Sequence, residues 1–258
     1  MKWTQSSSGA RLLDGHSDDR TRQQAVVDPA LFKAATEAQL AAGAEILRAD
    51  GCEAVRLCRQ VSSESKVWAV TGPSGKLLAL QEISPEFLRD FFEERIAALS
   101  AEAPDALLIQ SMSDLDEALI ALAAARRVSK LPVGVSMVLG SGLDQIETVL
   151  GHNCEDVADR LQDAGADLVG CNCQLPVDEM VLAVRLMRKR SDLPILACPD
   201  AGQKELDGDS VVYREQPKDF ASKAQSLVSA GANVIGGCCG VGVEHIRQLA
   251  LNLTSPDA

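Results

Sequence analysis

Short runs of Val, Ile and Leu alternate along this 258-residue chain with longer stretches of helical period. That alternation predicts an α/β protein built as a single (β/α)8 TIM-type barrel. Two further observations select the barrel over an open doubly wound sheet. The strand candidates number eight in a chain of one-barrel length, and no GxGxxG opens the first helix as a dinucleotide-binding sheet would require. An apolar fraction of 46% is enough for a sizeable core.

The elements follow in order. The first strand is expected around Leu12–Leu13, followed by a helix over Pro29–Ala42 and a strand at Glu45–Leu47. A third strand falls at Val67–Val70, a helix at Pro85–Leu99, a strand at Leu107–Ile109 and a helix at Leu115–Arg127. Then come a strand at Val133–Val138, a helix at Glu155–Ala164, a strand at Leu168–Gly170 and a helix at Asp178–Arg190. A strand at Ile195–Ala197, a long loop over Gln203–Lys218, a helix at Lys218–Ala230 and a strand at Val234–Ile235 complete the set. Ala42-Gly43, Ala164-Gly165 and Ala230-Gly231 each close a helix before a buried strand, because Gly accepts the left-handed conformation at little cost. Pro132 and Pro194 stop helices in the same way before the fifth and seventh strands. Residues 1–10 read as a disordered leader and residues 11–258 as the barrel domain.

Charge excludes several function classes. With 25 Lys+Arg against 37 Asp+Glu, the net charge is −12, which repels a phosphate backbone and makes nucleic acid an unsuitable partner. No apolar run approaches a bilayer span and no signal peptide is visible, so a cytoplasmic protein without membrane attachment is expected. In that compartment the eight cysteines stay reduced and point to metal binding or catalysis rather than disulfides.

In such barrels chemistry sits where strands end. After the sixth strand the chain reads Gly170-Cys171-Asn172-Cys173, and after the eighth Gly236-Gly237-Cys238-Cys239-Gly240. Three thiolates from two loops fill three positions of a tetrahedral zinc site and leave the fourth open, the mark of a catalytic centre. Three other readings compete: buried core cysteines, a Gly-rich phosphate site, and a strained disulfide. All-sulfur ligation points to alkyl transfer onto sulfur, whereas His or carboxylate sets activate water.

Gly236 to Gly240, followed by Glu244-His245-Ile246, resembles the signature of the zinc-dependent homocysteine S-methyltransferase family. That family includes betaine–homocysteine methyltransferase and the homocysteine module of cobalamin-dependent methionine synthase. Gly170 to Cys173 is similar to its Gly-x-Asn-Cys, Pro199-Asp200-Ala201-Gly202 to its Pro-Asn-Ala-Gly, and Leu13-Asp14-Gly15 to its opening Asp-Gly. The resemblance runs from about Arg11 to Leu253 and implies an eight-stranded barrel. It implies zinc on Cys173, Cys238 and Cys239, with Asp14, Gln110 and Asn172 serving the substrate. Asn172 is expected to secure its loop through side-chain hydrogen bonds. Cys171, at strand spacing from Cys173, is a substitute ligand on the same face. Cys52 and Cys198 read as spare rim thiols, Cys58 and Cys154 as structural, His16 as a pocket candidate, His152 as a loop residue, and His245 as the start of the last helix.

The chain departs from the family in three places. Gln110-Ser111 stands where the family carries Glu-Thr, with the Glu holding the ammonium of homocysteine. Ala49-Asp50-Gly51-Cys52 replaces a Thr-Asn-Thr-aromatic run, and the segment from there to Val67 is short. Val241 and Val243 replace a Thr and a Pro, which implies a local packing change. The resemblance therefore implies a zinc-dependent S-methyltransferase acting on a small thiol, homocysteine first. The donor is methyl-corrinoid or folate-linked, betaine or a sulfonium, and a corrinoid protein is a candidate partner. A methyltransferase for another thiol and a non-catalytic zinc subunit of a split system remain open.

Overall fold

The computed structural model describes residues 11–12, 28–76, 78, 82–142 and 145–254. Its main sheet holds β1 (Arg11–Leu12), β2 (Ile46–Asp50), β3 (Lys66–Thr71), β4 (Ala106–Met112), β5 (Val133–Met137), β6 (Leu168–Pro176), β7 (Ile195–Asp200) and β8 (Val234–Ile235). All pairs are parallel, and the strands follow the order β1-β8-β7-β6-β5-β4-β3-β2 of a TIM-type barrel. The helices are α1 (Pro29–Ala41), α2 (Cys52–Val61), α3 (Pro85–Ala101), α4 (Leu115–Val128), α5 (Cys154–Asp163), α6 (Val177–Arg188), α7 (Pro217–Ala230) and α8 (Val243–Thr254). The expected leader at residues 1–10 lies outside the described residues.

Strand alternation divides the apolar side chains into two cores. Ile46, Trp68, Val70, Leu108, Leu168, Leu196 and Val234 fill the barrel interior. Leu47, Val67, Leu107, Ile109, Val135, Val169 and Ile195 point outward against the helices. Parallel strands buried on both faces read as near-continuous apolar runs, so they were conspicuous in the sequence.

The N-terminal ends of the strands carry a repeated clasp. Asp105 exchanges two hydrogen bonds with Val67: its N–H donates to the Val67 carbonyl (2.8 Å), and its carboxylate accepts the Val67 N–H (2.8 Å). Asp167 does the same to Val133, and Asn233 to Ile195. Each of the three side chains also receives an arginine from the last helix but one before it: Arg59 of α2, Arg126 of α4 and Arg188 of α6. The same arginines donate to the carbonyls of Ala103, Gly165 and Gly231, two residues before each clasp. Those three residues share positive φ, at 53°, 88° and 111°. Strands β3–β4, β5–β6 and β7–β8 are fastened this way. Between the pairs stand Pro132 and Pro194, which offer only a carbonyl, to Leu107 and Val169 respectively.

Four features differ from the sequence reading. Helix α2 occupies the short segment after β2; only ten residues long, with Glu53, Arg56, Arg59 and Gln60 on its polar side, it buries Ala54, Val55, Leu57 and Cys58 on the other. The stretch expected as a loop after β7 contains a hairpin, Glu205–Asp207 paired with Ser210–Val212. Its first strand is wholly exposed, so it has no buried face to announce it. A second small hairpin pairs Gly140–Ser141 with Ile146–Glu147. Finally, β6 runs to Pro176, well past the expected Gly170, with a register shift against β7 between Asn172 and Pro176.

Candidate metal centre

The end of β6 departs from regular strand geometry. Cys173 and Gln174 adopt φ of 63° and 60°, a region that side-chain-bearing residues enter at a cost. Regular alternation would put Cys171 and Cys173 on one face. The left-handed pair breaks the period, so Cys171 packs outward among the core residues while Cys173 turns to the inner cluster. The expectation of Cys171 as a same-face substitute ligand is corrected on that ground.

Across the barrel mouth, the turn after β8 brings up Cys238 and Cys239. Its glycines are sterically required: a Cβ on Gly237 would collide with Val241, and one on Gly240 with Tyr213. Cys173 Sγ lies 2.6 Å from Cys238 Sγ and 3.8 Å from Cys239 Sγ, and none of the three cysteines is in a disulfide. With a carboxylate oxygen of Asp200, the sulfurs form a group within 4.8 Å of one another. Asp200, at the end of β7, braces the two cysteine loops. One oxygen accepts the Cys239 N–H (3.0 Å) and the other the Gln174 N–H (2.9 Å).

Electrostatics disfavour ionisation without a cation. Cys238 lowers the Cys173 thiol by hydrogen bonding, but Cys239, burial and the Asp200 charge outweigh it and push Cys173 up to about 12. Contacts with Cys173 and Cys239, then burial, raise Cys238. Burial, then the Cys239 charge, pushes the Asp200 carboxyl up to about 7. Tyr213, the chain's single tyrosine, is raised by burial and then by Cys239 and Asp200.

The remaining expected residues fall as follows. Asp14 and His16 lie outside the described residues. Gln110 shares the inner face of β4 with Ala106 and Leu108; it is 2% exposed, and neither its Oε1 nor its Nε2 has a partner. Asn172 is fully buried. It reaches beyond its own loop, accepting from the Ser111 N–H and the Ser136 hydroxyl, donating to Ser111 Oγ, and approaching Cys238 Sγ at 3.9 Å. Ser111 itself has φ of 63°, so this asparagine holds a second strained rim residue. Cys198 is buried inside the barrel rather than on the rim, and Cys52 begins α2 against the outer core. Cys58 and Cys154 are buried. His152 closes a tight turn with Thr148. His245 Nδ1 accepts the Gly242 N–H, so its Nε2 donates to the Glu215 carbonyl and ties the start of α8 to the loop before α7.

Sequence reasoning missed the roles of Tyr213 and Asp200. Tyr213 is 25 residues before the double cysteine and hidden in an acidic stretch.

Strands, helices and a converging sulfur cluster at the carboxyl ends define a TIM-type barrel protein with a thiol-rich centre at its functional mouth. The chain belongs to the homocysteine S-methyltransferase family, whose family model matches residues 19–253. It is 26% identical over 185 residues to a methionine synthase of Mycobacterium leprae, covering 69% of this chain and 15% of that protein. It is 29% identical over 174 residues to homocysteine S-methyltransferase 3 of Zea mays, covering 64% of this chain and 49% of the other. The matches thus span about half or less of the curated relatives. The apo form of the Escherichia coli homocysteine methyltransferase MmuM superposes with a TM-score of 0.76 at 19% identity, covering 95% of this chain and 96% of that one. Its metallated form superposes with a TM-score of 0.75 at 18% identity, covering 94% and 96%. At this identity the likeness shows the fold. Among the described residues no helix is long and apolar enough to cross a membrane.

Proposed function

We propose that this chain is a zinc-dependent thiol S-methyltransferase with homocysteine as the favoured acceptor. The convergence of Cys173, Cys238 and Cys239 carries the reading. The donor set fits the ion: a tetrahedron with Zn–S of about 2.3 Å has S···S edges of about 3.8 Å, and Cys173–Cys239 already stands at 3.8 Å. The Cys173–Cys238 pair stands at 2.6 Å and would have to open to reach the same edge. Asp200 is a brace rather than a ligand in this reading, since both its oxygens already accept backbone N–H groups.

When bound, zinc supplies a Lewis acid that takes a thiol to its nucleophilic thiolate at neutral pH. The chain's residues do the rest. Cys173 and Cys239 are half-buried and Cys238 is buried, and the bonds from Asp200 and Asn172 keep the two loops in register. Gln110, buried with both amide atoms unpartnered, offers one acceptor and one donor to the polar end of the thiol substrate. Asp14 is the further candidate for that end. In the transfer a new S–CH3 bond forms as the methyl–donor bond breaks, and the thiol proton leaves to solvent. The donor is one of the methyl-corrinoid or folate-linked, betaine or sulfonium classes. The short α2 after β2 suits a large donor such as a corrinoid protein.

Elemental analysis of protein purified under reducing conditions without chelators tests the reading. The expected result is about one zinc per chain, lost in Cys239→Ser, together with methylation of homocysteine by a member of the donor panel. Absence of zinc even after reconstitution overturns it.

A further inference from the structure

Gln110 is a buried amide with nothing to bond. It lies on the inner face of β4 with Ala106 and Leu108, is 2% exposed, and neither its Oε1 nor its Nε2 has a partner among the described residues. Buried side-chain amides are nearly always satisfied in native proteins, so two orphaned atoms on one side chain call for a partner from outside the chain. The neighbouring strand leaves room for one. β3 pairs Val70 with Leu108 and Thr71 with Ile109, so the next residue beside Gln110 is Gly72. Gly72 is half-buried, and a Cβ there would first meet the Gln110 main-chain oxygen, at 3.7 Å.

This place is within reach of the sulfur centre. The Ser111 N–H, next along the chain, donates to Asn172 Oδ1 (3.2 Å), and Asn172 Nδ2 stands 3.9 Å from Cys238 Sγ. With only the width of an amide between those two atoms, Ser111 N is at most about 10 Å from that sulfur. A four-carbon mercapto acid extends about 5 Å beyond its sulfur, so one held on a metal at the cysteines can carry its polar end to Gln110. The other polar groups on this path are already engaged: Asn172 with Ser111 and Ser136, and Asp200 with Gln174 and Cys239. Gln110 meets the incoming end with a donor and an acceptor and no charge. A neutral amide hydrogen-bonds to an ammonium or a carboxyl group, but it does not offset the cost of burying the ammonium's charge.

We infer that Gln110 is a specificity-determining residue that reads the far end of the acceptor by neutral hydrogen bonds, so that the acceptor class is short-chain thiols with a polar end, with or without an ammonium group. Homocysteine belongs to that class, and its ammonium is not what selects it. This rests on the zinc–thiol reading above and deepens it by stating what the acceptor needs at the end away from sulfur.

The test titrates two thiols into the cobalt(II)-substituted full chain and follows the thiolate charge-transfer band. One is homocysteine; the other is 4-mercaptobutyrate, which differs from it in lacking the ammonium. In the parent the two dissociation constants should agree within about fivefold. A larger preference for homocysteine shows that another group supplies the missing charge, and overturns the inference. Gln110→Glu should shift the ratio toward homocysteine by about tenfold or more, and an unchanged ratio also overturns it. Gln110→Met, similar in size and without hydrogen-bonding groups, should weaken both thiols by about fivefold or more, with the ratio and the metal content kept. Parent-like affinity for both thiols in Gln110→Met overturns the inference and leaves water as the partner of the buried amide. If Gln110→Glu does not fold, judged by circular dichroism, the parent ratio and Gln110→Met decide. A parent protein that takes up no metal, or whose cobalt spectrum neither thiol changes, overturns the zinc–thiol reading itself and this inference with it, a distinguishable outcome.

Discussion

Truncating Asn172 to alanine should destabilise the barrel out of proportion to the few atoms removed. The side chain is fully buried and satisfies three groups on two other strands: the Ser111 N–H (3.2 Å), the Ser136 hydroxyl (2.6 Å) and Ser111 Oγ (2.9 Å). Both hydroxyls can rotate toward other partners, so each loss is an ordinary net hydrogen bond of about 0.5–1.5 kcal/mol. The Ser111 N–H cannot turn away, because its backbone is fixed at φ 63°; leaving a buried donor unsatisfied costs about 1–3 kcal/mol. The sum is about 4 kcal/mol, a substantial part of the roughly 5–15 kcal/mol that holds a typical domain together. Urea unfolding followed by the fluorescence of Trp68, buried in the barrel interior, reads this directly. With a slope of about 3 kcal/mol per molar, the midpoint should fall by about 1.3 M. Asn153→Ala is the matched comparison, since that half-buried asparagine caps α5 through the Asp156 N–H and donates to the Asp156 carboxylate at the helix end, a local pair worth about 1 kcal/mol. A loss in Asn172→Ala no larger than in Asn153→Ala would refute the bridging role.

Three other outcomes are expected. Ala103 holds the left-handed slot that Gly165 and Gly231 occupy in the other clasps, so Ala103→Gly should raise stability by roughly 0.5–1 kcal/mol, read as a higher urea midpoint. Burial raises the Asp105 carboxyl, but the Val67 N–H, Arg59 and Lys66 outweigh it and hold it below the usual carboxylate range. A depressed folded value contributes stability above the unfolded value near pH 4 and loses it as pH falls through the folded value; Asp105→Asn should therefore lower stability at neutral pH and flatten the acid limb of a pH–stability curve. Cys171 faces the outer core, so Cys171→Ser should keep about one zinc per chain by elemental analysis while lowering the unfolding midpoint, in contrast to Cys173→Ser.

Much of this arrangement was legible in the residues because two physical signals are strong. Parallel strands covered on both faces produce apolar runs such as Val67–Val70 and Leu107–Ile109, and thiols at strand ends are conspicuous against them. What escaped notice depended on geometry that pattern does not encode. The inward turn of Cys173 comes from two left-handed residues that are not glycine, so period-2 reasoning assigned Cys171 to the wrong face. The hairpin carrying the chain toward Tyr213 has no buried stripe. Helix α2 is short, its packing face only four residues. Asn172 was expected to serve its own loop, yet its partners are 36 and 61 residues away, a distance that local hydrogen-bond rules do not cover.

The clasps fasten β3–β4, β5–β6 and β7–β8, and prolines stand at the junctions between them. These are three sewn panels, and one of the junctions between them runs between β6 and β7. The sulfur centre spans that junction at the opposite end, with Cys173 on one panel and Asp200, Cys238 and Cys239 on the next. An ion seated there would act as a rivet as well as a reagent, fastening a junction that the base leaves without a clasp.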